Sequence, residues 1–139
     1  MTVMMLTAFV FLPKTEKYAL PPKEIVGVIA SKADLGVSLD DAQLNWLTLF
    51  AHFGFGGAAG GLFGVAARFL WQPLWSAGIL FCLLVWLVSY MIGLPTLGIL
   101  KPATKHPLRR NLLMVGAHIV WGFSLGLVFE WLAVTFRFA

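Results

Sequence analysis

The chain has 139 residues, 60% of them hydrophobic and 12% charged, with ten Lys and Arg against six Asp and Glu and a mean hydropathy of +0.87. A soluble domain carries about a quarter charged residues, so this balance excludes an aqueous globular fold and places most of the chain in lipid. A single cysteine, Cys82, excludes a disulfide framework or a cysteine-rich metal site, and cations that flank apolar runs point to membrane orientation rather than to nucleic acid.

The first apolar run, MTVMMLTAFVFL at residues 1–12, covers only about 18 Å as a helix, roughly half of a 30 Å hydrocarbon core. It lacks the basic start and small-residue cleavage site of a secretory signal, so it reads as the second half of a first transmembrane helix whose start is expected upstream. Pro13 ends it, and Pro21 and Pro22 bracket an extended piece. In the loop 14–44, KEIVGVIASKA sets Ile25, Val28 and Ile29 on one face. That pattern fits either a helix lying on the membrane surface or an amphipathic helix packed on the end of the bundle. Ser38 and Asp41 have the spacing of a capping box opening the second span.

Three further runs reach the roughly 20 residues a span requires, and helices are predicted over 45–69, 74–94 and 111–136. Trp71 and Trp75 flank a tight turn at headgroup level, while Pro95, Pro102 and Pro107 punctuate the basic loop 95–110. The expected fold class is all-α: one polytopic integral membrane domain over residues 1–139, with four transmembrane helices arranged as two repeated helical hairpins. Lys14, Lys17, Lys23 and Lys32 lie in one large loop and Lys101, Lys105, Arg109 and Arg110 in the other, against only Arg68 and Arg137 on the opposite side. By the positive-inside rule, loops 13–44 and 95–110 face the cytoplasm of a bacterial inner membrane, with both termini outward.

The stretch GFGGAA imitates a dinucleotide fingerprint, but helical residues precede it and no acidic residue follows at ribose-binding distance. Glycines at 56, 60 and 64 instead form a small-xxx-small pattern that lets helices approach closely in lipid. The segment also has an echo. NWLTLFAHFGFGGAAGGLF, from Asn45, and NLLMVGAHIVWGFSLGLVF, from Asn111, share Asn45/Asn111, Leu47/Leu113, Ala51/Ala117, His52/His118, Gly56/Gly122, Gly60/Gly126 and Phe63/Phe129. These are seven identities in 19 positions, where composition leads one to expect roughly one or two. At 100° per residue the Asn, His, Gly and Phe positions fall within about 80° of one another, so the repeat is a helix face. Gly56, Gly60, Gly64, Gly122 and Gly126 are the expected packing positions, and His52, His118, Asn45 and Asn111 the candidate polar or ligand-binding ones.

An intramembrane histidine most simply donates a hydrogen bond to a neighbouring helix. The sharper alternative is a bis-histidine site for haem b, with glycine one turn on clearing space for the macrocycle. Zinc or copper has an incomplete first shell, because His106 can join the pair only by folding inward. A proton or solute pathway is the third option, and Glu130, the only acid in a predicted span, is its candidate gating residue. Trp86, Trp121 and Tyr90 read as packing or interface residues. No paired carboxylate or activated nucleophile is visible, so no catalysis is expected.

The motifs YALPPKEI, SYMIGLP, KPATKHPLRRN and AHIVWG resemble those of YagU-like small bacterial inner-membrane proteins of unknown function, over most of the chain from Tyr18. The resemblance implies a polytopic membrane fold and assigns no site residues. The expected role is a non-catalytic membrane protein without cofactor, packing or assembling with a membrane partner or as a homo-oligomer. A haem-binding redox or anchor protein and a small oligomeric transporter or channel are the alternatives.

Overall fold

The computed structural model describes residues 21–32, 40–70 and 73–136, whose regular structure is entirely helical. Helix α1 spans Pro21–Lys32, α2 Asp41–Ala67 and α3 Leu74–Leu87. A π-helical segment, Val88–Gly93, continues into the short α4, Leu94–Thr96. A 3-10 turn at Ala103–Lys105 precedes the long α5, Leu108–Phe136. Three helices are long and apolar enough to cross a membrane: Ala42–Ala67, Leu74–Thr96 and Leu108–Phe136. The helix expected over 1–12 lies outside the described residues.

Local chemistry explains where these helices begin and end. Asp40 caps α2: its Oδ1 accepts from the Gln43 amide at 2.7 Å, and Gln43 Oε1 accepts from the Asp40 amide at 3.1 Å. The capping box is therefore Asp40 with Gln43 rather than Ser38 with Asp41. A glutamine at the third helical position reaches back one methylene further than an aspartate does. At the start of α5 the Pro107 carbonyl accepts from the Asn111 amide at 3.3 Å, which begins the helix three residues earlier than the apolar run indicates.

Pro95 shapes the end of the middle span. Proline has no amide hydrogen, and its ring collides with the carbonyl four residues back. The helix widens just before it: the Leu94 amide bonds to Ser89, five residues back, instead of Tyr90. Thr96 Oγ1 then donates to the carbonyls of Ile92 at 2.9 Å and Gly93 at 3.0 Å. Gly98 takes the left-handed conformation at φ 63° and closes a Schellman motif, with Gly98 N to Pro95 O and Ile99 N to Leu94 O both at 3.0 Å.

Among the described helices α3 and α5 form the most intimate pair, and they run antiparallel, since Gly122 meets Gly78 and Ile79 while Gly126 meets Leu74 and Trp75. Leu74, Gly78 and Cys82, each four residues apart, make the buried stripe of α3 and meet Gly122 and Gly126 of α5. A Cβ added at Gly78 would strike the Gly122 carbonyl and lie 3.0 Å from Gly126 N, so the two backbones touch. Lipid tails are as apolar as these side chains, and this close van der Waals approach is what holds the pair together.

Helix α2 joins that pair near its C-terminal end. Phe63 is fully buried, with ring centroids 5.3 Å from Phe81 of α3 and 5.6 Å from Phe129 of α5. A Cβ at Gly60 would lie 3.6 Å from Leu125, and one at Gly64 would lie 2.5 Å from the Phe129 ring. Both numbers rise together, so α2 and α5 run parallel. Towards its N-terminus α2 is largely exposed and packs against α1. The buried face of α1 centres on Val26, with Ile25 and Val28 half-buried and Ile29 exposed, a face shifted from the one its periodicity indicates.

Cys82 is completely buried in the α3–α5 contact. It is expected to resist a membrane-permeant maleimide in the native protein and to react fully in denaturing detergent. Fast labelling in intact membranes contradicts this packing.

Candidate functional site

Because α2 leans away from α3 and α5 above the Phe63 contact, a cavity of about 800 Å³ opens between them. Its walls come from α2 (Ala51 to Gly57), α5 (Met114, His118 and Trp121), the end of α3 and the π-helical segment, and α1 covers one side with Ile25 and Val26. The parallel register of α2 and α5 pairs residue 60 with 125 and residue 63 with 129, an offset of 65 to 66. His52 and His118 differ by 66 positions and therefore stand level, within about one residue rise of 1.5 Å. Both line the cavity.

The orientation of His118 is determined by its own helix. Its Nδ1 lies 2.7 Å from the Met114 carbonyl, which can only accept, so Nδ1 carries the proton. In the uncharged ring Nε2 then holds a lone pair, and it makes no hydrogen bond among the described residues. Trp121 meets the imidazole edge-on, with centroids 5.9 Å apart and planes at 73°. His52 has Phe53 in a similar edge contact at 5.8 Å and 73°.

Serine and threonine in apolar helices usually turn their hydroxyls back onto the helix carbonyls. Ser31, Thr48, Ser76, Thr96 and Ser124 all do so. Ser89 lines the cavity from the π-helical segment and makes no such bond. Tyr90, its neighbour, also faces the cavity and stacks on Trp86 at 6.4 Å with planes 24° apart. No Asp, Glu, Lys or Arg lines the cavity among the described residues. The space is thus apolar and aromatic, with a few hydrogen-bonding atoms in its walls, which is the usual composition of a small-molecule site.

The other candidates are placed differently. Asn111 donates to the Ala103 carbonyl at 2.7 Å and ties the basic loop to α5, whereas Asn45 is exposed. His106 stays in that loop: its Nε2 donates to the Lys101 carbonyl at 3.2 Å, and its Nδ1 accepts from Arg110 Nη1 at 3.0 Å. It does not join the histidine pair, and no group of three or more His, Cys, Asp or Glu able to hold a metal exists among the described residues. Glu130 is half-buried on α5 and does not line the cavity. Of the glycines expected to pack, Gly122, Gly126 and Gly64 meet a neighbouring helix closely and Gly60 makes ordinary contact. Gly56 instead opens onto the cavity, where an added Cβ would meet nothing within 4 Å.

Equivalent positions of the two similar segments therefore meet unequal surroundings. Helix α5 has α3 as its antiparallel partner, while the partner expected for α2, residues 1–12, lies outside the described residues. Reasoning from the sequence also missed Gly78, the glycine that the close pair shares. Its signal was the four-residue spacing of Leu74, Gly78 and Cys82. Ser89 had no comparable signal, because its role depends on the register change before Pro95.

Exchange of Asn111 for alanine is expected to cost about 1 kcal/mol, the value of one hydrogen bond, and Asn45→Ala close to nothing. Thermal unfolding of both variants in detergent checks the difference.

A family model described as a protein of unknown function, DUF1440, matches residues 5–127. The chain belongs to that family. No curated protein and no solved structure matches it. The DUF1440 match takes in the first two apolar helices, the third as far as residue 127 and the residues that line the cavity, and with three helices long and apolar enough to cross a membrane it fits a membrane protein of unknown role; the YagU-like likeness remains a resemblance of short motifs.

Proposed function

We propose that this DUF1440 member is a non-catalytic, multi-pass protein of the bacterial inner membrane that holds an uncharged lipophilic ligand in the histidine-lined cavity. The observation that carries this is the combination of an 800 Å³ apolar space with two level imidazoles and no formally charged side chain in its described walls. An ionic headgroup would enter without a counter-charge at heavy cost. Among the described residues the walls offer the two imidazoles and the Ser89 hydroxyl but no carboxylate to orient a histidine as a base and no lysine or thiol, which favours binding over chemistry. Gly122 and Gly126 are occupied by the internal contact with α3, so assembly with a partner does not draw on them. In this scheme the loop after Thr96, with Lys101, Lys105, Arg109 and Arg110, faces the cytoplasm together with α1.

The test uses Gly56→Leu, which projects a branched side chain into the cavity from a position where an added Cβ meets nothing within 4 Å. Wild-type protein, purified in nanodiscs and examined by native mass spectrometry, should retain a lipophilic molecule that the variant loses by about tenfold. Equal retention by both proteins would mean that the cavity is not the binding site.

One observation favours a second reading, in which His52 and His118 are axial ligands of a haem. Metal-binding imidazoles commonly donate their other N–H to a carbonyl, as His118 does to Met114. The two propionates of a haem speak against it, since no cation lines the described walls. Colourless protein from haem-replete cells removes this alternative.

A further inference from the structure

Resting on the ligand-binding reading above, we infer that the cavity selects a hydroxylated aromatic head, of the phenol or hydroquinone class, carried on an apolar tail. The hydrogen-bonding atoms of the walls point to this chemistry. His118 uses Nδ1–H on its own helix, so Nε2 can only accept from an uncharged ligand. A ligand that offers carbonyls or ethers alone leaves that lone pair unmet, whereas a hydroxyl donates to it. Ser89 supplies the complementary group, a hydroxyl that has no bond of its own within the helix and that both donates and accepts.

The shape of the walls agrees with a flat head. Gly56 and Gly57 are adjacent on α2, and a Cβ at either would meet nothing within 4 Å. This leaves a strip of bare backbone against which a ring can lie. Trp121, Tyr90 and Phe55 line the same space and present edges and faces for aromatic contact. The absence of formal charge disfavours fatty acids and phospholipid headgroups, which would arrive as anions or zwitterions. His52 and His118 lie 11 and 10 residues from the starts of their helices, about 15 to 17 Å along each axis. That depth suits a neutral ring better than an ionic head.

The π-helical segment is an independent pointer. Such bulges occur frequently at functional sites, and this one contributes Ser89, Tyr90 and Gly93 to the cavity. By moving the Leu94 amide onto the Ser89 carbonyl, it separates the backbone register around Ser89 from that of the preceding helix.

The experiment compares a decyl-substituted hydroquinone with its dimethyl ether, each equilibrated anaerobically with the purified protein in phosphatidylcholine nanodiscs. Retention is measured by chromatography and mass analysis. The diol should be retained at least tenfold better than the ether, and His118→Ala and Ser89→Ala should each lower diol retention about tenfold without changing that of the ether. Ser89→Ala removes a hydroxyl with no internal bond, so it keeps the test valid if His118→Ala fails to fold. Equal retention of diol and ether overturns the inference while the ligand-binding reading stands. Displacement of the diol by equimolar dioleoylglycerol overturns the aromatic part, because an aliphatic alcohol then suffices. Retention of neither probe overturns the inference; if Gly56→Leu also leaves the co-purified ligand unchanged, the broader reading falls with it.

Discussion

Gly122→Ala is expected to destabilise the protein by about 2–3 kcal/mol, the upper range for overpacking a tight contact. A Cβ there would strike the Gly78 carbonyl and lie 2.7 Å from both the Gly78 carbonyl carbon and Ile79 Cα. These are backbone atoms, so no side chain can swing aside and the helices themselves must separate. Gly57→Ala is the matched control. It adds the same methyl group where nothing stands within 4 Å, and alanine's higher helix propensity should leave stability unchanged or raised by up to about 1 kcal/mol. Both variants can be followed by detergent titration, with exposure of the buried Cys82 thiol as the reporter. Equal midpoints for the two would show that the α3–α5 backbones are not in contact.

The second large effect is expected at Phe63. Truncating a buried phenylalanine to alanine costs about 3–5 kcal/mol in a water-soluble core. In lipid much of the transfer contribution disappears, because the exposed surface meets acyl chains instead of water, and about 2 kcal/mol of lost packing should remain. The loss should be local in a specific way. Phe63 bridges α2 to Phe81 and Phe129, while α3 and α5 hold each other through their glycines. Phe63→Ala should therefore raise hydrogen exchange along α2 and leave the α3–α5 amides protected. A double-mutant cycle with Phe129→Ala should give a coupling of about 1 kcal/mol for the aromatic pair. Uniform loosening of all three helices would contradict this division of the structure.

Much of the architecture was legible because lipid imposes simple rules. Every backbone amide and carbonyl must be satisfied within its own segment, so long apolar runs become helices and their approximate limits follow from composition. Three such runs were visible, together with a stripe that places His52 and His118 on corresponding helix faces. Helix starts were less legible, since Ser38 with Asp41 and Asp40 with Gln43 stand two residues apart and fall at the same end of the helix, and it is Asp40 with Gln43 that caps α2. The shifted face of α1 shows the same limit at the level of packing: periodicity defines an apolar side, but contact with α2 decides that Val26 and not Ile29 is buried.

What the sequence determined by itself was therefore three helices long and apolar enough to cross a membrane and the like placement of His52 and His118 along two of them, because these depend on hydropathy and on an angle per residue. Only the tertiary structure decided that Gly122 meets Gly78 while Gly56 borders empty space, that Ser89 lines a cavity without bonding to its own helix, and that this cavity lies between α2, α3 and α5. Those outcomes depend on which helix backbones approach one another. In lipid, that choice is made by shape complementarity between surfaces of equal hydrophobicity, which a linear pattern of apolar residues does not encode.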